Sequence, residues 1–356
     1  MHIAIPREIK PAEGRVALIP AACGALIAAG HEVFIESGAG IPAGYADADY
    51  QAAGVTVLPD AASLYAQGEL IVKVKEPVEA DLALLRPHHR LFCFLHLAAA
   101  PALGERLREI GLTAVAFETL EEDGGLPLLA PMSDIAGRIA VQMGAQLLLQ
   151  PQGGRGVLLG GVAGTTRGHV VVVGAGHVGL TSARLAAGMG ARVTVFDKRR
   201  DRLEAARAIG ANVTGLQAFG DDVAEALRGA DLAVGAVLVP GRHAPRVITR
   251  EMVRAMPQGS VLADVSVDQG GCAETTRPTT YEEGAYVEEG VLHFTVTNMP
   301  GAVPRTSSQA LSAVLVPYVL RLAAADWERD AALATGVNVR DGAYVHPGVR
   351  EELSRV

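Results

Sequence analysis

The stretch from Val170 to Leu180 reads "VVVVGAGHVGL", and its reading decides the fold. Four consecutive β-branched residues predict a strand. Gly174, Gly176 and Gly179 then give the G-x-G-x-x-G spacing of a dinucleotide-binding turn. A glycine string alone says little in a chain with 41 glycines, so its context carries the inference. It follows a strand pattern, opens the helical pattern "LTSARLAAGMG", and is followed at the end of the next expected strand by Asp197. Glycines let the backbone approach a pyrophosphate, while the helix N-terminus supplies N–H groups and positive potential. A carboxylate at Asp197 suits adenosine ribose hydroxyls and repels a 2′-phosphate, which favours NAD over NADP. Lys198, Arg199, Arg200 and Arg202 beside it blur that preference.

Outward from this turn the chain alternates β-rich runs with helical patterns. Before it come "HIAIP", a helix over 21–29, "EVFIE", "VTVL", "LIVKVK", "RLFCFLHL" and "TAVAFET", with "DLALLR" and "PALGERLREIG" between the later strands. After it come a helix through Met189, "RVTVFD", a helix through Ile209, "LAVGAVL", a helix around Met252, "SVLADVSVD" and "LHFTVTNMP". Such alternation predicts parallel sheets with crossover helices. The expected fold class is α/β, with two Rossmann-like doubly wound domains joined by long helices. "APMSDIAGRIAVQMGAQLLLQ" predicts a connecting helix from near Ser133, with Asp134 near its N-terminus, where negative charge suits the helix dipole. The glycine-dense "GGRGVLLGGVAGTTRG" predicts a loop with a short strand. Pro300 and Pro304 bound a crossing point, after which a helix from Ser307 to near Ala332 returns to the first domain. The nucleotide domain, 129–304, is then an insertion in a substrate domain made of 1–128 and 305–356.

Composition limits the function classes. A length of 356 residues suits two domains, and 49% hydrophobic with 20% charged residues is globular. A formal charge of −8 disfavours general affinity for nucleic acid or anionic lipid, which need clustered Lys and Arg. Cys23, Cys93 and Cys272 are scattered and odd in number, forming neither a metal-ligand spacing nor a disulfide framework, which fits a reducing cytoplasm. "MHIAIPREIK" lacks an apolar signal core. "LFCFLHLAAAPAL" and "LSAVLVPYVLRLAAA" fall short of the about 20 residues a membrane helix needs. Small molecules are the expected partners, with no nucleic acid, membrane or metal.

Polar residues end several strands of the first half: Arg15 in "AEGRVALIP", Lys75 in "LIVKVKEP" and His96 in "LFCFLHLAA". Ligands collect at the carboxyl ends of strands in open α/β sheets. Together with "IPREIK", "LPLLAPMSDIAGR", "GGRGVLLGGVAG", "VGAVLVPG", "VDQGGCAETTRPTT" and "NMPGAVPRTSSQAL", these motifs resemble bacterial alanine dehydrogenases, in the same order from Met1 to Leu322. The resemblance implies NAD-dependent oxidative deamination of L-alanine to pyruvate and ammonium, its reverse, and a homohexamer. Carried over position by position, it implies that Arg15 and Lys75 bind substrate and that His96 and Asp268 are catalytic. Ser133, Asp197, Arg202, Val237, Leu238, Asn298 and Met299 fall at its cofactor contacts. The run "NVTGLQAFGDD" departs from the serine-containing segment of the family near the adenine, and no contact is carried over there. Asp134 stands where the family often has Glu.

These residue types suit the chemistry. A guanidinium grips an amino-acid carboxylate with two parallel hydrogen bonds, the role for Arg15, and a Lys75 ammonium polarises a keto oxygen. An imidazole such as His96 exchanges protons near neutrality, and Asp268 can balance positive charge on an imine. The reaction is expected in a cleft between substrate and cofactor domains. Taken singly, Arg15 and Lys75 read as solvated charges, His96 as a core histidine and Asp268 as a turn cap. Three rivals stand beside this reading: a saccharopine- or lysine-type dehydrogenase, the soluble NAD-binding subunit of a proton-translocating transhydrogenase, and a catalytically dead NAD-binding regulator.

Overall fold

The computed structural model describes residues 1–239 and 243–353. Pro240 and Gly241 of "VGAVLVPG", and the last three residues of the range 305–356, lie outside them. The described residues form two compact units: 1–132 with 300–353, and 133–239 with 243–299.

In the first unit β1 (His2–Ile5), β2 (Glu32–Glu36), β3 (Thr56–Leu58), β4 (Leu70–Val72), β5 (Arg90–Cys93) and β6 (Thr113–Ala116) pair in parallel in the order β3-β2-β1-β4-β5-β6. Helices α1 (Pro20–Ala28), α2 (Asp47–Ala52), α3 (Ala61–Gln67), α4 (Glu79–Leu82) and α5 (Pro101–Ile110) lie between them in sequence. The central strand β4, "LIV", and the last three residues of β5, "LFC", are apolar because both faces of a parallel sheet are covered. α1 and α5 each begin on proline, whose missing N–H costs nothing in a first turn. Asp60 caps α3 by accepting from Ser63 N at 2.7 Å. "LIVKVK" is regular strand only to Val72: beyond it the Glu8 carboxylate, rather than a neighbouring strand, accepts Val74 N at 2.7 Å.

The second unit takes up most of α6 (Ala130–Leu147). This helix starts three residues before the expected Ser133, because Pro131 is at home in a first turn. The glycine-dense segment that follows contains no strand; Gly153, Gly156, Gly161 and Gly164 all take positive φ, which breaks any extended run. Then come β7 (His169–Val173), α7 (His177–Gly188), β8 (Arg192–Asp197), α8 (Arg200–Arg207), β9 (Val213–Gln217), α9 (Gly220–Leu227), β10 (Leu232–Gly235), α10 (Arg250–Arg254), β11 (Val261–Asp264), β12 (Tyr286–Glu288) and β13 (Val291–Phe294). Their parallel order is β9-β8-β7-β10-β11-β13, with β12 antiparallel on β13. Val170, Val171 and Val172 have no exposed surface, each burial being worth about 1.5–3 kcal/mol.

The chain then returns to the first unit. α11 (Pro304–Ala323) holds the segment after Arg15: Ser308 Oγ and Ser312 Oγ accept Val16 N and Ile19 N at 2.9 Å, and Ser312 donates to Ala17 O at 3.0 Å. The expected helix to Ala332 is broken at Ala323. Asp330 starts a new one, α12 (Ala331–Gly336), by accepting Ala332 N and Leu333 N at 3.0 and 3.1 Å, and it pairs with Arg321 at 2.6 Å. β14 (Val337–Arg340) then adds antiparallel to β6, β15 (Ala343–Tyr344) pairs with β14, and α13 (Pro347–Leu353) follows.

Candidate active site

In the first unit the strand order changes direction between β1 and β4, the place where open α/β sheets bind ligands. Arg15 follows β1, Lys75 follows β4 and His96 follows β5. The Arg15 side chain is buried. Its Nε and Nη2 donate to Glu13 Oε1 and Oε2 at 2.7 and 2.5 Å, and Nη1 reaches Met132 Sδ at 3.3 Å. This two-pronged clamp fixes the plane of the guanidinium. Lys75 Nζ stands 3.9 Å from Glu76 Oε2, and Lys10 pairs with the same carboxylate. Burial pushes the Glu76 carboxyl up, but Lys75, Lys10 and His96 outweigh it and hold it below its usual value. Lys75 and His96 therefore share one electrostatic neighbourhood.

His96 sits in the left-handed region, with φ 49° and ψ 40°, a conformation that costs a side-chain-bearing residue about 1–2 kcal/mol. The Glu118 carboxylate, just beyond β6, holds it there by accepting His96 N at 2.7 Å and Leu95 N at 3.2 Å. The imidazole stacks parallel to Phe94 at 5.6 Å between centroids. Beneath this edge Lys73 Nζ is buried 3.4 Å from both Glu8 and Asp81. Burial pushes its ammonium down, and the two carboxylates outweigh it and hold it above its usual value. Removing one partner of such a buried set costs about 3–5 kcal/mol.

The second unit has its switch point between β7 and β10, and the glycine turn lies there. A Cβ on Gly179 would stand 1.8 Å from Gly174 O, and one on Gly174 would stand 2.4 Å from Ala236 O. These two glycines close the turn. Gly176, at the N-cap of α7, has open space where its Cβ would be, with Arg202 Nη1 nearest at 3.9 Å. Such a backbone-lined cradle with one guanidinium at its rim fits a dinucleotide pyrophosphate. Asp197 Oδ2 accepts Ala175 N at 2.7 Å, Oδ1 accepts Arg199 N at 2.8 Å, and Arg202 lies 3.7 Å away. Val237 donates to Ser266 Oγ at 3.0 Å, and Leu238 next to it is exposed. Asp268, exposed in the 3-10 turn Val265–Gln269, accepts Asn298 N at 3.1 Å. Asn298 is itself left-handed, with φ 57°. Met299 is buried and accepts from Tyr281 Oη at 3.3 Å. Ser133 is half-buried on α6 beside Asp134, whose Oδ1 accepts from Thr181 at 2.8 Å.

Two family models together span this geometry: the alanine dehydrogenase/PNT N-terminal domain over residues 4–136 and the corresponding C-terminal domain over 140–347. The chain belongs to this family. An alanine dehydrogenase of Halomonas elongata is 49% identical, covering 99% of this chain and 96% of its own. A solved L-alanine dehydrogenase superposes with a TM-score of 0.93 at 48% identity, covering 100% of this chain and 99% of the other. A transhydrogenase from Sinorhizobium meliloti gives 0.83 at 25% identity, covering 98% and 99%.

The candidate residues read from sequence are held by carboxylates that the same reading leaves without a role. Glu13, Glu76 and Glu118 in the first unit and Asp264 in the second were not singled out from sequence. A signal was present for two of them, since Glu13 and Glu76 sit within two residues of a candidate cation. Among the described residues no group of three or more His, Cys, Asp or Glu could hold a metal ion, and no helix is long and apolar enough to cross a membrane.

Proposed function

We propose that this chain catalyses the reversible reaction of L-alanine, NAD and water to pyruvate, ammonium, NADH and a proton. The observation that carries this reading is the edge of the first sheet. A clamped guanidinium, an ammonium and an imidazole follow three neighbouring strands at a switch point, and they match a carboxylate, a keto oxygen and a proton in transit. Bound NAD supplies the hydride acceptor for Cα and, when reduced, the donor for the reverse direction. Every other task falls to side chains of this chain.

Arg15 takes the substrate carboxylate, and the Glu13 clamp keeps its plane from turning, so orientation is set before binding. The Lys75 ammonium lies against the substrate oxygen and stabilises negative charge there as water adds to the imine carbon. His96 takes the proton of that water and returns it when ammonium leaves. The Asp268 carboxylate balances positive charge on the substrate nitrogen. The glycine turn and Arg202 hold the pyrophosphate, Asp197 the adenosine ribose, and Ser133, Val237, Leu238, Asn298 and Met299 line the rest of the cofactor path. The Asp197 charge favours NAD over its 2′-phosphorylated form. The family further suggests a homohexamer working in the cytoplasm, which light scattering and cell fractionation test.

The direct test is NADH oxidation by pure protein given pyruvate with ammonium, beside 2-oxoglutarate with lysine. Turnover confined to pyruvate and ammonium is expected. Turnover confined to the secondary-amine pair would transfer the assignment to a saccharopine-type enzyme. Tight NADH binding without either turnover would make the chain a regulator.

A further inference from the structure

Asp264 ends β11 with no exposed surface, and no Lys, Arg or His among the described residues pairs with it. Its carboxylate is instead surrounded by donors from both ends of the loop that carries Asp268. Oδ1 accepts Ser266 N at 3.0 Å and the Cys272 thiol at 3.3 Å. Oδ2 accepts Cys272 N at 2.8 Å, Ala273 N at 3.1 Å and Thr276 Oγ1 at 2.6 Å. The loop leaves the carboxylate at 266 and returns to it at 272, so Asp268 lies on a span pinned at both ends. The neighbours leave no slack: a Cβ on Gly235 would stand 2.4 Å from Cys272 Sγ and 3.1 Å from Asp264 Oδ1, and one on Gly271 would stand 3.1 Å from Asp264 Oδ2. Ser266, its N–H fixed by Asp264, closes both backbone polar groups of Val237, accepting its N–H at 3.0 Å and donating to its carbonyl at 2.8 Å.

We propose that Asp264 is a positioning residue that sets two things at once: the place of Asp268 and, through Ser266, the backbone at Val237 that meets the cofactor. This rests on the roles given above to Asp268 and Val237. An acceptor-only carboxylate suits the task because every group facing it is a donor. An amide in its place turns one acceptor into a donor and must push part of the loop away. The chain of contacts predicts that damage at Asp264 appears in both turnover and cofactor affinity, whereas damage at Asp268 appears in turnover alone.

The experiment compares wild type, Asp264→Asn, Asp268→Asn, the double variant and Ser266→Ala. It measures kcat with pyruvate and ammonium, and NADH Kd by fluorescence titration. Asp268→Asn is expected to lose about 100-fold or more in kcat with unchanged NADH Kd. Asp264→Asn should lose about 10-fold or more in kcat and weaken NADH several-fold. In the double variant the residual turnover of Asp268→Asn should fall no further, because Asp264 acts through Asp268. Ser266→Ala should weaken NADH by about 3- to 10-fold with a smaller change in kcat; this conservative variant decides the proposal if Asp264→Asn does not fold. Losses that multiply in the double variant, or NADH affinity unchanged in Ser266→Ala, overturn it. Full activity in Asp268→Asn would instead overturn the role of Asp268 on which the proposal rests.

Discussion

The two sheets run their six parallel strands in the same sequential order, third, second, first, fourth, fifth and sixth, yet their carboxyl edges are made of opposite materials. After the first strand one sheet offers Arg15 clamped by Glu13, the other a turn of bare backbone at Gly174, Gly176 and Gly179. After the fourth strand one offers Lys75 against Glu76, the other the main chain of Val237. After the fifth come His96 and Asp268, each tied to a group beyond the sixth strand, Glu118 and Asn298 respectively. A shared topology thus supplies equivalent sites for loops, and side-chain chemistry divides the work. One edge suits a small charged molecule gripped by ion pairs; the other suits a long ligand admitted by missing side chains.

That contrast is easiest to break at its catalytic positions. His96→Ala is expected to lose about 100- to 10,000-fold in kcat while NADH Kd stays within the error of a titration; equal loss of binding would mean that the two edges do not divide the work. On the glycine edge two alanines should behave differently. In Gly179→Ala the new Cβ strikes Gly174 O, so the turn must open, costing about 1–3 kcal/mol in urea unfolding along with cofactor binding. In Gly176→Ala the Cβ enters open space at an ordinary helix N-cap φ of −76°. Stability should therefore change by no more than about 0.5 kcal/mol, while NADH affinity falls about tenfold through obstruction of the pyrophosphate. Parallel losses in the two variants would remove the cradle.

Arg15→Lys sharpens the other side of the comparison. It keeps the charge and loses the planar fork, so KM for pyruvate should rise about tenfold with NADH Kd unchanged. The smallest effect on turnover belongs to His89, behind the first sheet. Its Nδ1 accepts Arg86 N at 3.0 Å and its Nε2 lies 3.0 Å from Tyr65 O, an arrangement that only a neutral ring satisfies. Burial, reinforced by His88, pushes its pKa down to about 4. The unfolded chain binds this proton below about pH 6.5 and the folded chain does not, so stability present above that pH is lost as pH falls toward 4. The loss from this site reaches about 3 kcal/mol. His89→Gln should flatten that part of the unfolding curve and leave kcat at neutral pH unchanged.

Much of this architecture can be read in the amino-acid order. The buried parallel strands appear as short unbroken apolar runs, and the glycine turn is legible because a strand pattern precedes it and a helical pattern follows it. The final fifty residues were harder. A proline-tolerant helical pattern does not reveal that Asp330 caps a new helix, and the antiparallel strand "VNVR" alternates over only four residues, too few to mark it. Edge strand β9, "VTGLQ", is weakened by Gly215 and half-exposed, so its pattern is faint. At the site the asymmetry is chemical. Arg15, Lys75, His96 and Asp268 stand in motifs that resemble those of the family. Glu118 acts only once the end of the neighbouring strand has brought Leu95 N and His96 N to it, and Asp264 only once its own loop has folded back to present Ser266 N, Cys272 N and Ala273 N; in sequence both look like any solvated acid.

The central claim is that a hydride passes between Cα of alanine and the nicotinamide. L-alanine deuterated at Cα, incubated with the protein and NAD, tests it directly by mass spectrometry of the reduced cofactor. One deuterium in NADH for each pyruvate formed is the predicted result. Pyruvate formed with the label in water, or no pyruvate at all from protein that binds NADH, would contradict it.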